Sequence, residues 1–443
     1  MTTEVGNSGT PPQKHAEPAE AHSDNIGKKE KGPYSATKAL IFFIVLLDVM
    51  GIGIIIPVQP FLAQSFGASA VTVTWLGAVY SVMQFLCAPV WGGLSDKVGR
   101  RPVLLVSLAV TCVGHLLFGL AGSLPALFLA RALSGFGAAN VSTAQAVIAD
   151  ISPANSRGAS MAILGAAFGL GFVFGPALGG ILGGYNASYP ALAASTLCAL
   201  NLLLVAMKLP ETRRVSAEGR KNAIHGSVLA FRHLSRPLQL LVATTFVTMT
   251  AFAIMEHSLG LLIAKLWVDP LSETYLADAS KLTSRYLVVV GITAVFVQGF
   301  LVRKLLKRIP ESRLVPVSLG ILAVALISIP ALGLSMNFGL FLVSGALLAV
   351  GSGLFNPSAT SLVSKLAPES SQGLALAINQ SGASLGRIVG PFTAGWLFAT
   401  NFALPFATGC SLVVIATIIF LLGVGYQFRL VDDGLVEQGQ KQP

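Results

Sequence analysis

The sequence predicts an all-α membrane protein with twelve transmembrane helices in two six-helix bundles, related by a parallel pseudo-twofold repeat. Three observations predict this fold. Only 11% of the 443 residues are charged, 53% are hydrophobic and the mean hydropathy is +0.74, whereas a soluble domain carries about 25% charged residues. Apolar runs of about 20 residues, the length that crosses a bilayer as a helix, recur along the chain. The second half of the chain also repeats short motifs of the first half at a nearly constant spacing.

Each apolar run is predicted to be a helix, because backbone groups inside lipid must be hydrogen-bonded within their own segment. The ends of the runs are set by the flanking polar residues, glycines and prolines. The predicted spans are 38–58, 71–93, 103–122, 125–149, 158–182, 189–209, 238–266, 284–303, 314–333, 338–364, 372–397 and 404–427.

Lysines and arginines are distributed unevenly between the two ends of the predicted helices. They fill the even-numbered connections, whereas five of the six opposite loops contain none. The exception follows the seventh span and carries Lys265, Lys281 and Arg285. This asymmetry predicts a multi-pass protein of the plasma (inner) membrane with both termini in the cytoplasm. The net charge of +10 is therefore interpreted as a topology signal and not as a nucleic-acid-binding surface.

The polar segments divide the chain into five parts. The N-terminal 36 residues have no apolar periodicity, which predicts disorder, and they lack the apolar core and cleavage site of a signal peptide. Within the basic linker, residues 224–234 show helical spacing that suits an interfacial helix on an anionic membrane. The parts are a cytoplasmic tail 1–36, an N-terminal bundle 37–209, a cytoplasmic linker 210–236, a C-terminal bundle 237–427 and a cytoplasmic tail 428–443.

Several classes of function are disfavoured. No G-x-x-x-x-G-K-[ST] motif is present, so an ion gradient is a better candidate energy source than ATP. No catalytic constellation indicates an enzyme, and no cofactor or metal site is expected. The four cysteines, Cys87, Cys112, Cys198 and Cys410, all lie inside apolar runs, which argues against a disulfide framework.

Motifs of the first half recur in the same order in the second half. A parallel repeat of six helices places a substrate site near the membrane midplane, between the halves, which predicts a transporter of small molecules. The matching motifs begin 215 or 216 residues apart: GFGAAN at 135–140 with GSGLFN at 351–356, SPANSRG at 152–158 with APESSQG at 367–373, and GFVFGPALGG at 171–180 with GRIVGPFTAG at 386–395.

Three stretches carry a family resemblance: LLDVMGIGIIIPVQP at 46–60, WGGLSDKVGRRPVLL at 91–105 and FGLGFVFGPALGG at 168–180. They resemble the tetracycline efflux transporters, in the drug–proton antiporter branch of the major facilitator superfamily. The resemblance covers nearly all of residues 38–427 for the fold, and its motifs are specific chiefly in the first half. It implies two bundles that rock about a central cavity, driven by a proton gradient.

The second and third spans are joined by the family pattern G-x-L-x-D-x-x-G-R-R. The resemblance implies that these residues form a conformational latch, which holds the cytoplasmic side closed in the outward-facing state and releases during the cycle. Glycine permits close helix approach and a tight turn, and the aspartate suits a helix dipole or an arginine. The alternative is that the cations only fix topology. The matching residues are Gly92, Asp96, Gly99, Arg100 and Arg101.

Two acids and one arginine inside the spans are candidate proton-coupling residues. Asp48 lies mid-span, where an ionised carboxylate costs roughly 2.5–3.5 kcal/mol on insertion scales, so it must line a cavity, find a partner or be protonated. Glu256 follows 208 residues later, close to the repeat spacing, and is its candidate counterpart. Arg131 matches the intramembrane arginine of the family, and its predicted counter-charge is Asp48. Structural roles for all three remain alternatives.

Further polar residues within the spans are candidates for a role in transport. Arg387 is predicted either to attract an anionic substrate group or to neutralise Glu256. His115 and His257 could relay protons near neutral pH or could simply be packing residues. The candidate substrate or charge contacts are Arg387, Gln380, Asn140 and Asn356.

The fifth span carries the glycine- and proline-rich motif that the family associates with antiport. Its glycines form a smooth surface for close packing against a neighbouring helix, and neighbouring helices can compensate for the proline inside the helix. An ordinary packing interface is the alternative. The residues are Gly171, Gly175, Pro176, Gly179 and Gly180.

The function predicted first is export of a small amphipathic compound by proton antiport, with the chain working as a monomer. A carrier for an organic anion or other metabolite on the same fold is the alternative, and a scaffold that has lost transport is a third reading. The sequence departs from the tetracycline transporters at Gly114, where they carry an acid, and in span 314–333, which contains no acid. We therefore expect a different substrate pocket.

Overall fold

The computed structural model describes residues 35–138, 140–151, 157–212, 231, 234–306, 308–367 and 372–425. Throughout these ranges the regular structure is helical. Residues 1–34 of the predicted N-terminal tail, the whole predicted C-terminal tail and most of the linker, including residues 224–230, lie outside the described residues. Residues 35 and 36 belong to the first helix. The helices that cross the molecule are Ser35–Ile55, Ala70–Val98, Arg100–Gly119, Leu124–Gly137 continued by Asn140–Ile151, Arg157–Gly183, Tyr189–Lys208, Arg236–Trp267, Tyr275–Phe296 continued by Val297–Leu301 and Val302–Leu306, Glu311–Gly333, Phe338–Leu366, Gln372–Thr400, and Leu404–Phe420 continued by Leu421–Gly425.

These helices are the twelve predicted spans, in the predicted order. In the described part of the chain, nine are long and apolar enough by themselves to cross a membrane. The other three are the fourth span, in two helices of 14 and 12 residues, the fifth, of 27 residues, and the eleventh, of 29 residues. A short extra helix, Gln59–Ser65, lies in the first loop. The all-α fold is confirmed.

The eighth span begins earlier than the sequence pattern indicates. The predicted start is residue 284, but the helix begins at Tyr275. Its first turns are polar and are held by local bonds, since Asp278 accepts a hydrogen bond from the Thr274 hydroxyl at 2.6 Å and lies 3.9 Å from the ammonium of Lys281. Hydropathy finds the apolar part of a helix and misses such a polar extension.

The packing of the first six spans is repeated in the last six. The first span packs on the fifth and sixth, and the third on the fourth and sixth. Correspondingly, the seventh packs on the eleventh and twelfth, and the ninth on the tenth and twelfth. Each half has an apolar core, with Ile44, Leu104 and Val205 in the first and Leu319 and Phe341 in the second. This is the predicted parallel repeat.

The two halves meet through the second and eleventh spans and through the fifth and eighth. We call the end with the loops after the odd-numbered spans the far end, and the opposite end, with the basic connections, the basic end. At the far end a Cβ on Gly395 would lie 2.6 Å from the Cα of Val71. The Tyr275 hydroxyl also donates a hydrogen bond to Gln64 across the halves at 3.3 Å. The far end is therefore closely packed.

The two halves are packed less closely at the basic end. Apart from the adjacent part of the glycine's own helix, no described atom lies within 4 Å of the place where a Cβ would stand on Gly92, Gly93 or Gly299. The neighbouring Val90 and Phe300 are 63% and 56% exposed. Among the described residues, the close glycine contacts between the halves are confined to the middle and the far end.

Candidate transport site

Charged and polar side chains from both halves gather in the middle of the molecule. The first half supplies Asp48 from the first span, Tyr80 from the second and Arg131 from the fourth, and the second half supplies Glu256 from the seventh and Arg387 from the eleventh. All five stand well inside apolar helices, where an ionisable group marks a substrate or ion pathway by default.

Arg131 is held by aromatic rings. Its guanidinium carbon lies 4.9 Å from the ring centroid of Tyr80 and 5.6 Å from that of Phe118, and the residue is only 5% exposed. Its Nε and Nη1 atoms have no hydrogen-bond partner among the described residues. Cation–π contact stabilises a positive charge without neutralising it. Arg131 thus keeps donors that an acceptor can still use.

Tyr80 connects the charges of the two halves, and sequence reasoning missed it. Its hydroxyl lies within electrostatic range of Asp48 and Arg131 in its own half and of Arg387 in the other. The only available signal was a tyrosine in the middle of an apolar span, whose hydroxyl needs a partner when buried. That signal is weak, because tyrosine has no formal charge.

Asp48 is 8% exposed on the first span, and its charge acts on Tyr80. Its pairing with Arg131 stays a prediction. One helical turn further along lies Gly51, where a Cβ would stand 3.8 Å from Nε2 of His115. His115 is 2% exposed, and its Nδ1 has no partner in the described residues. The histidine thus packs beside the acid-bearing helix.

The second half contributes a pair of opposite charges. Glu256 is half-buried and lies within electrostatic range of both Arg387 and His257. Arg387 also donates a hydrogen bond from Nη2 to the Ser384 hydroxyl at 3.1 Å. This placement is compatible with both predicted roles of Arg387, the neutralisation of Glu256 and the attraction of an anion.

His257 crosses the interface between the halves. Its Nδ1 lies 3.0 Å from the carbonyl oxygen of Ala253, and its ring edge packs directly against Gly77 of the second span, where any side chain would collide with it. A glycine is required at this point because the imidazole occupies the space of a Cβ. The relay role of either histidine stays a prediction.

The structure does not place the other three predicted substrate contacts, Gln380, Asn356 and Asn140, beside the charged cluster. Gln380 stands seven residues before Arg387 on the eleventh span, hence on the same face of the helix, and is exposed. Asn356 is exposed on the tenth span. The side chain of Asn140 lies outside the described residues.

The basic-end motif, residues 92–101, binds within its own half. Gly99 has φ +119°, a conformation that favours glycine. Arg100 is buried, and its Nε donates to Asp150 at 3.1 Å while its Nη1 donates to the Ser95 hydroxyl at 2.6 Å. Arg101 donates to the carbonyl of Ala206. Both arginines are thus hydrogen-bonded within the first half, and the latch role stays a prediction. The side chain of Asp96 is not among those described.

The start of the third span receives a carboxylate from far along the chain. Glu211 accepts hydrogen bonds from the backbone N–H groups of Arg100 and Arg101, at 2.9 and 3.1 Å. The first N–H groups of a helix lack intrahelical partners, so this carboxylate satisfies two of them. Sequence analysis predicted neither Glu211 nor Asp150 as a partner.

An ion pair occupies the same place in the second half. Lys365, at the end of the tenth span, lies 2.6 Å from Glu311, at the start of the ninth. The Ser361 hydroxyl donates to the same carboxylate at 2.8 Å. The acid of this pair is a glutamate at the start of the ninth span, and sequence analysis did not predict the pair.

The glycines of the fifth span pack against the first span. A Cβ on Gly175 would lie 2.8 Å from the Cα of Gly53, and one on Gly171 would lie 2.7 Å from Val49. Pro176 also contacts this surface, and Gly179 packs on the carbonyl of Ile54. Gly180 points the other way, against Ser284 of the eighth span. The stripe is a close-packing surface, and its role in antiport stays a prediction.

Comparison with known proteins agrees with this architecture. The model of the Major Facilitator Superfamily matches residues 41–337 and 279–434. The class E tetracycline resistance protein of Escherichia coli is 30% identical, over 86% of this chain and 94% of its own length. Multidrug resistance protein 2 of Bacillus subtilis is 25% identical, over 87% and 94%. The crystal structure of the human organic anion transporter MFSD10 covers 88% of this chain and 99% of its own, with a TM-score of 0.67 at 24% identity, and supports the fold.

Proposed function

Because the chain belongs to the Major Facilitator Superfamily of membrane transporters, we propose that it exports a small amphipathic compound in exchange for protons. The names of its relatives, tetracycline and multidrug resistance proteins, support drug-like substrates. The observation that carries the proposal is the buried carboxylate Asp48 in a cluster that also contains Arg131 and Tyr80 and reaches Arg387 in the other half.

Protonation of Asp48 is the proposed coupling step. A carboxyl group withdrawn from water holds its proton more tightly than an exposed one, so it can load on one side of the membrane and release on the other. Loss of its negative charge leaves the neighbouring buried cation without compensation, which costs several kcal/mol. The two protonation states therefore favour different arrangements of the halves, and the gradient biases the equilibrium.

We further propose that the basic end faces the cytoplasm, with both termini on that side. The packed far end and the open space beside Gly92 and Gly299 then correspond to an inward-facing state, in which a proton leaves and the compound enters. Both bundles belong to one chain and line one site, so the transport unit is a monomer.

The decisive experiment uses purified protein in liposomes with an acidic lumen and an internal pH dye. Tetracycline and a panel of amphipathic cations and anions are added outside. We expect compound-dependent proton efflux, and a loss of at least about tenfold in Asp48→Asn, since one coupling charge is worth more than 1.4 kcal/mol. The matched control, Glu273→Gln, removes an exposed far-end carboxylate and should leave the rate unchanged. Transport that ignores the gradient in wild type and Asp48→Asn alike would refute proton coupling.

A carrier for organic anions is the second candidate, and Arg387 favours it. The guanidinium is half-buried and could receive a carboxylate in bidentate geometry. On this reading Arg387→Ala abolishes uptake of anions while cation transport is unaffected. Full anion transport by Arg387→Ala would exclude this role.

A further inference from the structure

A cavity of about 390 Å³ lies at the far end, between the end of the seventh span and the start of the eighth. It is separate from the central cluster. Its wall is partly apolar, with Trp267 and Leu282, and partly charged, with Asp269, Asp278, Lys281 and Arg285.

The two carboxylates of the cavity are already engaged. Asp269 accepts a hydrogen bond from the backbone N–H of Leu271 at 3.0 Å. Asp278 accepts one from the Thr274 hydroxyl at 2.6 Å. Both acids thus stabilise the turn and the helix start, where acceptors satisfy free N–H groups and compensate the helix dipole.

The donors of the cavity are not engaged to the same degree. Arg285 is exposed and makes no ion pair or hydrogen bond with the described residues. The one ion pair of Lys281 with the described residues is the long 3.9 Å contact to Asp278, with both side chains about half exposed, while its stem packs against Gly184. The indole Nε1 of Trp267 is buried and has no partner within the described ranges. The formal charges of the lining therefore cancel, but the Arg285 guanidinium and the Trp267 indole N–H are donors that no group in the described part of the chain uses.

The sequence provides an independent indication. The other five far-end loops contain no lysine or arginine, as expected for the non-cytoplasmic side. Lys281 and Arg285 stand against that bias. Basic residues on the side where the positive-inside rule disfavours them are expected to have a local structural or binding role. Both Lys281 and Arg285 line this cavity.

We propose that this cavity binds the anionic group of an amphipathic molecule. Arg285 presents a planar fork that matches a carboxylate or phosphate, Lys281 adds a second positive charge, and Trp267 and Leu282 contact the apolar part of the ligand. A free alkyl carboxylate and the headgroup of an anionic phospholipid share this chemistry. The site is distinct from the proposed proton pathway and does not depend on it.

Bromine quenching of Trp267 fluorescence tests the proposal. The protein contains four tryptophans, and changing Trp75, Trp91 and Trp396 to Phe leaves Trp267 as the reporter. One arm uses nanodiscs with brominated phosphatidylglycerol and, as the uncharged reference, brominated phosphatidylcholine. The other arm adds 11-bromoundecanoate, with 11-bromoundecanol as its reference. Neither arm involves a proton gradient, so its outcome is independent of transport.

We expect saturable quenching by at least one anionic probe, and at least about tenfold weaker binding in the double variant Lys281→Gln/Arg285→Gln, because the anion then loses its charge-assisted hydrogen bonds. The matched control is Lys265→Gln. Its ammonium lies 5.2 Å from the Phe402 ring at the same end but does not line the cavity. Quenching by the lipid alone identifies a headgroup site, and quenching by the carboxylate identifies a site for soluble anions.

Quenching that does not saturate, that is equal for charged and uncharged probes, or that persists unchanged in the double variant overturns the proposal. A second measurement uses the chain with all four tryptophans, because Trp91 donates a hydrogen bond to Phe136 and its removal could disturb folding. In that chain the anionic probe should raise the melting temperature of wild type and of Lys265→Gln, but not that of the double variant. An equal rise in all three would also overturn the proposal.

Discussion

The two halves of the molecule place an ion pair at the same position but with opposite polarity. In the first half Arg100 begins the third span and Asp150 stands next to the end of the fourth. In the second half Glu311 begins the ninth span and Lys365 stands next to the end of the tenth. A helix start carries partial positive charge and a helix end partial negative charge. The second pair agrees with both helix dipoles, and the first pair opposes both.

The difference predicts that the first contact, and not the second, rearranges during transport. Its opposed charges need additional partners, namely Ser95 for Arg100 and Glu211 for the start of the third span. In the second pair, the Ser361 hydroxyl donates a hydrogen bond to Glu311, and the Lys365 side chain is 57% exposed. A contact that opposes its dipoles is easier to rearrange, which suits a conformational switch. A contact that agrees with the helix dipoles suits a part of the bundle that does not rearrange.

The two halves also differ in the surroundings of their central arginines, Arg131 and Arg387. Substitution of these arginines gives the largest expected effect on exchange. Arg131 is buried on aromatic rings, whereas Arg387 has Ser384 and Glu256 nearby. We expect Arg131→Gln to reduce proton-coupled exchange about a thousandfold, since a stranded buried charge costs about 3–5 kcal/mol, and Arg387→Gln less than about tenfold. Exchange assays in liposomes, with size-exclusion profiles to check folding, measure this. Equal losses would show that the halves share the coupling role.

The two ion pairs should differ next in stability. Arg100→Gln removes a guanidinium whose side chain is only 10% exposed, together with its bonds to Asp150 and Ser95, and should lower the free energy of unfolding by about 3 kcal/mol. Lys365→Gln removes an exposed partner and should cost about 0.5 kcal/mol. Denaturant titration in detergent compares them. A larger cost for Lys365→Gln would reverse the ranking.

Reversing the polarity of the first pair sharpens the comparison. The triple variant Arg100→Glu/Asp150→Lys/Glu211→Gln gives the first half the arrangement of the second, and agreement with the two dipoles should stabilise the protein by about 1 kcal/mol. Exchange should not exceed the wild-type rate, because the contact is then harder to rearrange. A destabilised triple variant would contradict the dipole argument, and the single variant Glu211→Gln separates its contribution.

The smallest expected effect concerns the open basic end. A leucine side chain at position 92 or 299 would extend into space without described neighbours. Gly92→Leu and Gly299→Leu should therefore each change the free energy of unfolding by less than about 0.5 kcal/mol. Only Gly92→Leu, within the basic-end motif, should slow exchange. Melting curves and the liposome assay distinguish the two. A strongly destabilised Gly92→Leu would mean that a neighbouring helix already fills that space.

The fold was predictable because its signals are local and strong. Apolar runs and the 215-residue repeat indicated twelve helices, and three motifs carried the resemblance to the superfamily. The structure and the comparison confirmed the fold and the superfamily. The partners of the site residues were not predictable in this way. Asp150 and Glu211 lie 50 and 111 residues from Arg100, so no spacing pattern connects them. Tyr80 carries no charge that would mark it. The roles of Asp48, Arg131 and Glu256 remain predictions until transport is measured.

The contact of Gly175 with Gly53 has a mechanical consequence. Where two helices touch backbone to backbone, no side chain lies between them that could change rotamer or absorb a displacement. The first and fifth spans should therefore tilt together as one rigid unit, and Asp48 on the first span should move with them. The two halves meet at the fifth–eighth and second–eleventh crossings, so the displacement between the halves must take place there.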